Sequence, residues 1–462
     1  MFVSMALLWC LSLCLMGLKM YAVRRSASSC EEASLRTEGV VRDEREDMET
    51  WEGISILKPL KGKDDDLYEN LRSFCIQDYP TYEILCATKD PNDPARGVVE
   101  RIQREFPGCA VRYRVQEPCL SFNPKVANLE TLAKHAHYDW VVISDSNVRV
   151  GPDYLRDLMS TARAHDAGMV TNRVVGVGEE TVSAALENMF LNGIILGGFA
   201  SSAVYLKHTF VLGKSMMFRL SKFEQLGGFA PLRGVIVEDE VASNWFRDAG
   251  EPVVYARQPV YTNNRRWRFG QFLERHIRWA RVRLRTATPV YFLEPLASPM
   301  GVSWLWLLVS GGTSIWAWWS FALSWGIVWG RDQMHAHWVG RLPYALWTVL
   351  LVPLFAMFHF ALLLGSPWSN RVSWRGASYR MGWRTEILDG PGSELPLAVV
   401  REVSELVEPR GAQVADRVGS PAPSRARRFI GWGERIVYGR SASPDASGKE
   451  HGERRAWYTP ER

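Results

Sequence analysis

The sequence predicts an α/β domain with a largely parallel sheet, held at a membrane by hydrophobic segments on either side of it. Three observations point there. Strand-like and helix-like patterns alternate from Gly53 to Ser146, long apolar runs stand at the N-terminus and in the last third, and acidic residues recur just after strand-like runs. At 462 residues the chain can bury one sizeable core and still carry anchors and a tail.

Taken in order, GISILKPL from Gly53 reads as a strand and DDDLYENLRSFCIQ as a helix with acids at its positive end. YEILCAT, AVRYRV and DWVVISDS read as further strands, separated by helices in VVERIQREF and KVANLETLAKHA. In such a sheet, ligands bind at the carboxyl ends of the strands. The catalytic domain is expected over residues 51–264, after a serine-rich and charged linker at 24–50.

Residues 1–23 form an apolar run long enough to span a bilayer, with Lys19, Arg24 and Arg25 at its end. A signal peptide would carry its positive charge first and a small-residue cleavage site afterwards, so an uncleaved anchor is expected. No charged residue falls between Glu294 and Arg331 or between Arg341 and Arg371, which leaves room for two more spans within 295–370. The alternative there is a re-entrant stretch starting at Pro295 to Met300. Arginines crowd the exit of the first and last spans, which puts the central domain and the tail at 371–462 on the cytoplasmic side. That tail, rich in Arg, Ser, Gly, Pro and Glu, is expected to be largely disordered.

The net charge of +5 is mild, and its arginines gather around the apolar stretches, which suits a membrane surface rather than nucleic acid. Seven cysteines without a CxxC pair argue against a disulfide framework or a structural zinc site. Twenty tryptophans concentrate in the last third, where amphipathic rings suit a bilayer boundary. Residues 265–294 interleave arginines with Trp267, Phe272, Ile277 and Trp279 at helical spacing, a basic amphipathic helix that could lie on anionic lipid or face a phosphate site.

Three acidic positions carry the candidate chemistry. Asp90 follows the strand YEILCAT and could accept hydrogen bonds from a uracil or ribose, although an Asp before Pro-Asn-Asp-Pro also forms turns. Asp145 ends the strand WVVIS and could hold a divalent cation, Mg2+ or Mn2+, on the diphosphate of a nucleotide sugar. Asn147 stands where a second carboxylate would be expected. Asp239, flanked by Glu238 and Glu240, opens a helical pattern; a carboxylate here could act as general base, or the three acids could simply favour the helix N-terminus. Arg275 and Arg278 lie one helical turn apart beside Trp279 and could clamp a diphosphate or form a solvated stripe.

In sequence order KPLKG, TKDPNDPA, FNPKVANL, SDSNVRV, VEDE and RHIRW resemble the ceramide glucosyltransferase family over about Trp51 to Glu294, and the likeness continues to SWRGASYRMGW. The resemblance implies a GT-A (nucleotide-diphospho-sugar transferase) domain, an inverting single displacement, a UDP-sugar donor and ceramide as lipid acceptor. It assigns Asp90 and Lys125 to the donor, Asp145 to the metal, Asp239 to general-base catalysis and Arg275, Arg278 and Trp279 to the family's (Q/R)xxRW element. LYENL and VRVGPDYL are also similar to hopanoid-associated lipid glycosyltransferases, which makes a hopanoid the alternative acceptor. A processive polysaccharide synthase shares the acids, but two late spans are too few to wall a polymer from lipid.

Overall fold

The computed structural model describes residues 2–47, 51–64, 66–374, 377–383 and 385–390. Helix α1 (Phe2–Asp47) leads into β1 (Ile54–Pro59), α2 (Leu67–Cys75), β2 (Tyr82–Thr88), α3 (Ala95–Glu105), β3 (Val111–Val115), α4 (Pro124–Lys134) and β4 (Trp140–Ile143). This is the predicted alternation. Next come β5 (Val148–Arg149), α5 (Tyr154–His165), β6 (Met169–Thr171) and β7 (Val174–Val177). An apolar helix follows, in which α6 (Val182–Met189) and α7 (Leu196–Ser201) are joined by π-helical turns over Phe190–Ile195. The chain continues through β8 (Met216–Arg219), α8 (Leu220–Leu226), α9 (Glu238–Asp248), β9 (Val253–Tyr255), β10 (Val260–Asn263), α10 (Phe269–Thr286) and α11 (Thr288–Leu293). Helices α12 (Pro299–Val309), α13 (Ile315–Trp338) and α14 (Leu351–Gly365) precede strands β11 (Arg371–Trp374), β12 (Ala377–Met381) and β13 (Ile387–Asp389).

Among the described residues the main sheet has seven strands in the order β3-β2-β1-β4-β8-β6-β9. The first four run parallel, so Thr88 and Ile143 finish at the same edge. Strand β1 is buried along its whole length. Ile54 and Ile56 point into a core with Phe74, Val99 and Leu155, whereas Leu57 points into a second core with Leu129, Phe218 and Phe246. Two covered faces explain why these strands read as continuous apolar runs. Because β8 runs antiparallel to β4, with Met216 opposite Ile143, the Gly213–Ser215 segment entering β8 lies beside the residues leaving β4.

The membrane-type helices differ from expectation in two places. Among the described residues, Phe2–Ser28, Val182–Leu206 and Leu346–Trp368 are long and apolar enough to cross a membrane. The first and third match expected segments, and the second arises inside the stretch assigned to the catalytic domain. Its Glu187 is paired with Arg275 and hydrogen-bonded with His276, so one charged residue does not keep the helix out of an apolar setting. Between Glu294 and Arg331 the chain breaks: Tyr291–Ala297 and Pro299–Val309 meet at 88°. Pro295 and Pro299, which cannot donate backbone hydrogen bonds inside a helix, account for the break.

The serine-rich segment expected as a linker continues α1 to Asp47. Beyond the last apolar helix, the segments Arg371–Trp374, Ala377–Met381 and Ile387–Asp389 form a three-stranded antiparallel sheet rather than the start of a tail. Val372, Tyr379, Met381 and Ile387 are buried there against Val282 of α10. The rest of the expected tail, from residue 391, lies outside the described residues.

Candidate active site

Four expected or neighbouring side chains converge at the carboxyl edge of the sheet. Lys125, at the start of α4, places Nζ 3.1 Å from Asp145 Oδ1 and 3.0 Å from Glu238 Oε1, and donates to the carbonyl of Gly213 at 3.0 Å. Asn123 sets this geometry: its Oδ1 caps α4 by accepting from the backbone N–H groups of Lys125 and Val126, while its Nδ2 donates to Glu238 Oε2 at 3.1 Å. Asp239, in the first turn of α9, accepts at Oδ2 from Gly213 N–H at 2.5 Å and at Oδ1 from Glu240 N–H at 2.9 Å.

The close approach requires glycine at position 213. A Cβ there would lie 2.5 Å from Lys125 Nζ and 3.1 Å from Asp239 Oδ2. Lys214 next to it donates to Asn147 Oδ1 at 2.8 Å and approaches Asp145 Oδ2 at 3.6 Å. The segment is fixed from below by Ser215, which hydrogen-bonds with Tyr154 and Asn172. Lys58, fully buried at the end of β1, donates to the Asp145 carbonyl at 2.8 Å and to Ser144 Oγ at 3.2 Å.

Electrostatics separate the three acids that sequence left together. Glu240 faces His208 and Arg247, away from the cluster. Burial, reinforced by the Glu238 charge, pushes Asp239 from 3.8 up to about 7 against the lowering effect of Lys125. Burial works against charge on Lys125, but Asp145, Glu238 and Asp239 outweigh it and hold the ammonium well above its usual value. Burial pulls Lys58 down to about 7 and Lys214 to about 8, each partly opposed by Asp145. Asp239 thus has the proton affinity of a base working near neutral pH.

The remaining expected residues divide. Arg275 pairs through Nε with Glu187 at 2.9 Å, and its guanidinium lies 5.9 Å from the Trp279 ring; its charge is one cause of the lowering of Lys214. Arg278 turns the other way, donating to the Ser373 carbonyl of β11 at 3.4 Å and lying 5.9 Å from the Trp374 ring. Asp90 is exposed just past β2 at the same edge, and its carboxylate accepts from Asn92 N–H at 2.8 Å, the turn geometry foreseen as an alternative. Sequence reasoning missed Lys58, Glu187, Gly213 and Lys214. KPLKG held a signal for Lys58, whereas Glu187 and the Gly213–Lys214 pair are isolated residues whose partners lie far along the chain.

Asp145 is the candidate metal ligand. Among the described residues no group of three His, Cys, Asp or Glu side chains could hold a metal by itself. Asp145 with Asn147 Oδ1 fits a hard divalent cation only if phosphate oxygens and water complete its shell, a common arrangement for Mg2+.

The chain thus combines an α/β sheet carrying charged residues at its carboxyl edge with helices long and apolar enough to cross a membrane. The chain belongs to glycosyl transferase family 21, whose family model matches residues 10–387. Ceramide glucosyltransferase 3 of Caenorhabditis elegans is 27% identical over 250 residues, 53% of each chain. Ceramide glucosyltransferase 1 of the same organism is 24% identical over 366 residues, 76% of each chain. The protein therefore spans about half the length of the first relative and three quarters of the second. Among solved structures, a mannosyltransferase from Pyrobaculum calidifontis with GDP-Man and Mn2+ is 16% identical, with a TM-score of 0.46 over 75% of this chain and 99% of that one.

Proposed function

We propose that the protein transfers a hexose, glucose foremost, from a UDP-sugar to the primary hydroxyl of ceramide, with inversion at the sugar carbon. The observation that carries this reading is the single array in which Lys125 joins Asp145 to the first turn of α9, where Asp239 is held near neutrality. The names of the relatives supply the acceptor class.

Asp239 takes the proton of the acceptor hydroxyl as its oxygen bonds to the anomeric carbon. The bond from that carbon to the diphosphate breaks, and its electron pair leaves with UDP. Lys125, Lys214 and Arg275 place positive charge around the leaving diphosphate before it departs, so little reorganisation is needed at the transition state. A divalent cation bound at Asp145 and Asn147 would supply further charge to the same oxygens. Asp90 would hold the uridine end. The positive charge at the expected inner ends of the apolar helices supports a reaction on the cytoplasmic face.

Mass spectrometry of lipids after incubating purified protein with ceramide, a hopanoid and several nucleotide sugars, with and without Mg2+ or Mn2+, tests the reading. Hexosylceramide from UDP-glucose is expected. A glycosylated hopanoid in its place would transfer the mechanism to another acceptor, and the absence of product from every pair would sink the proposal.

A further inference from the structure

The apolar helices fall into two groups by where their ends are tied. Helix α1 and the antiparallel pair α12–α13 run away from the sheet domain together. At their far end Phe2 meets Trp306 at 5.6 Å and Trp316 at 6.0 Å, on either side of the Gly311–Gly312 turn. At their near end Ala22 and Val23 of α1 and Val339 beyond α13 share one buried cluster with Val175 of β7, and the Ser26 carbonyl accepts from Arg173 at 2.7 Å.

The Leu346–Trp368 helix is instead tied to the domain at both ends. Before it, Arg341 pairs at 2.5 Å with Glu179, between β7 and α6, and Tyr344 Oη accepts from Asn192 Nδ2 at 2.8 Å. After it, the Arg371 carbonyl accepts from Arg281 of α10, and Val372 of β11 is buried with Val282. The small sheet opened by β11 joins the domain directly, since the Ile236 N–H donates to the Thr385 carbonyl at 3.0 Å. A 23-residue helix is about 35 Å long, enough to cross a hydrocarbon core of about 30 Å. Crossing would therefore carry one of its ends to the far surface, where neither Glu179 nor Ile236 could meet it.

The two faces of this helix differ. Val352, Phe355 and Leu362 are buried, and Phe358 and His359 pack on Phe272 and His276 of α10 at 5.0 and 5.8 Å. On the opposite face Trp347, Leu350, Leu354, Met357, Leu364 and Trp368, spaced three, four or seven residues apart, are 43–88% exposed. An uninterrupted apolar stripe of this length marks an interaction surface, and tryptophan at both ends suits a lipid boundary. The stripe is continuous with the sides of the outward-running helices: Trp304 of α12 donates to the Pro353 carbonyl at 3.0 Å and Trp325 of α13 to the Val349 carbonyl at 2.6 Å.

We infer that the Leu346–Trp368 helix does not cross the bilayer but lies along the leaflet next to the sheet domain, with its stripe on lipid acyl chains and the 339–345 loop on the domain's side. Among the described residues, α1 and the α12–α13 hairpin then reach the far surface, at Phe2 and at Gly311–Ser314. Two spans within 295–370 separated at Arg331–Arg341, the arrangement expected from charge spacing, would put that loop on the far side instead. The inference draws on the proposed function only for which side is cytoplasmic. Helix α10, which carries Arg275, rests directly on this lipid-facing helix, so the acyl layer comes within about one helix diameter, ~10 Å, of it.

The test uses the full chain in sealed membrane vesicles of both orientations, a membrane-impermeant maleimide and peptide mapping by mass spectrometry, with one added cysteine at a time. Gly97→Cys on α3 marks the domain, Leu342→Cys the loop and Thr313→Cys the α12–α13 turn; all three positions are exposed, and a Cβ at 97 meets nothing within 4 Å. Mapping separates the added cysteines from the native ones, and Ala345→Cys serves where L342C fails to insert. L342C should label from the same side as G97C, and T313C from the other. L342C labelled from the side opposite G97C, or from neither side until detergent is added, would overturn the inference, as would T313C labelled together with G97C. If G97C itself labels from outside, the cytoplasmic placement in the proposed function fails, while the side of L342C relative to G97C still decides the helix.

Discussion

The sheet edge and the apolar helices handle buried polarity in opposite ways. At the edge, Lys125 lies 3.1 Å from Asp145 and 3.0 Å from Glu238, Asn123 holds Glu238, and the Gly213 backbone holds Asp239. Among the helices, Asp332 Oδ2 and His359 Nε2 are buried without a hydrogen-bond partner among the described residues. A preorganised charge array costs little to use, because its dipoles already point where charge will develop. Buried acceptors without a partner instead cost about 1–3 kcal/mol each in desolvation. The first arrangement suits chemistry, whereas the second costs stability.

The largest break in this contrast comes from Asp239→Asn, which keeps the size, leaves one of the Gly213 and Glu240 N–H groups without its acceptor, and removes the base. Turnover should fall by about two to four orders of magnitude, as for loss of a general base, with the donor KM little changed in steady-state assays. Activity retained near wild type in folded D239N would remove Asp239 from the chemistry.

Gly213→Ala comes next. The added Cβ must displace Lys125 Nζ or Asp239, and overpacking of about 1–3 kcal/mol at this point should cost roughly ten- to hundredfold in kcat with the melting temperature shifted by a few degrees. An unaffected kcat would mean that the approach of Asp239 to the Gly213 amide does not matter for catalysis.

A pH profile sharpens the same region. Asp239 is protonated below about 7 and a base only above it, so kcat/KM should rise with pH through about 7. The stability effect has the opposite sign: native Asp239 binds its proton more tightly than in the unfolded chain, so its contribution to stability falls as pH rises from 3.8 through about 7. A kcat/KM flat between pH 5 and 9 would count against this assignment. The smallest effect is expected from Asp90→Asn, where the amide oxygen can still accept from Asn92. Thermal stability should hold while the donor KM rises on the order of tenfold, the loss of one charge-assisted bond; an unchanged donor KM would leave Asp90 a turn former.

The sheet domain was readable because its signals are periodic and local. Strands covered on both faces and amphipathic helices repeat from β1 to β4, and the acids Asp90 and Asp145 stand just past β2 and β4. Long-range pairing was not readable in this way. Glu187 looks costly in an apolar helix until Arg275 and His276 are seen beside it, and Lys214 gains meaning only once β8 pairs with β4. Spacing placed Arg275 and Arg278 on one helix, but contacts made elsewhere, by Glu187 and by β11, turn them to different neighbours. The 371–389 sheet escaped notice because its strands are short and its buried face is completed by α10.

The central claim is a single displacement with Asp239 as base and no covalent sugar-enzyme step. The anomeric configuration of the product, read by proton NMR on lipid made from α-linked UDP-glucose, tests it most directly. A β-linked hexosyl lipid is the predicted result. An α-linked product would require two displacements or front-face attack and would contradict the account.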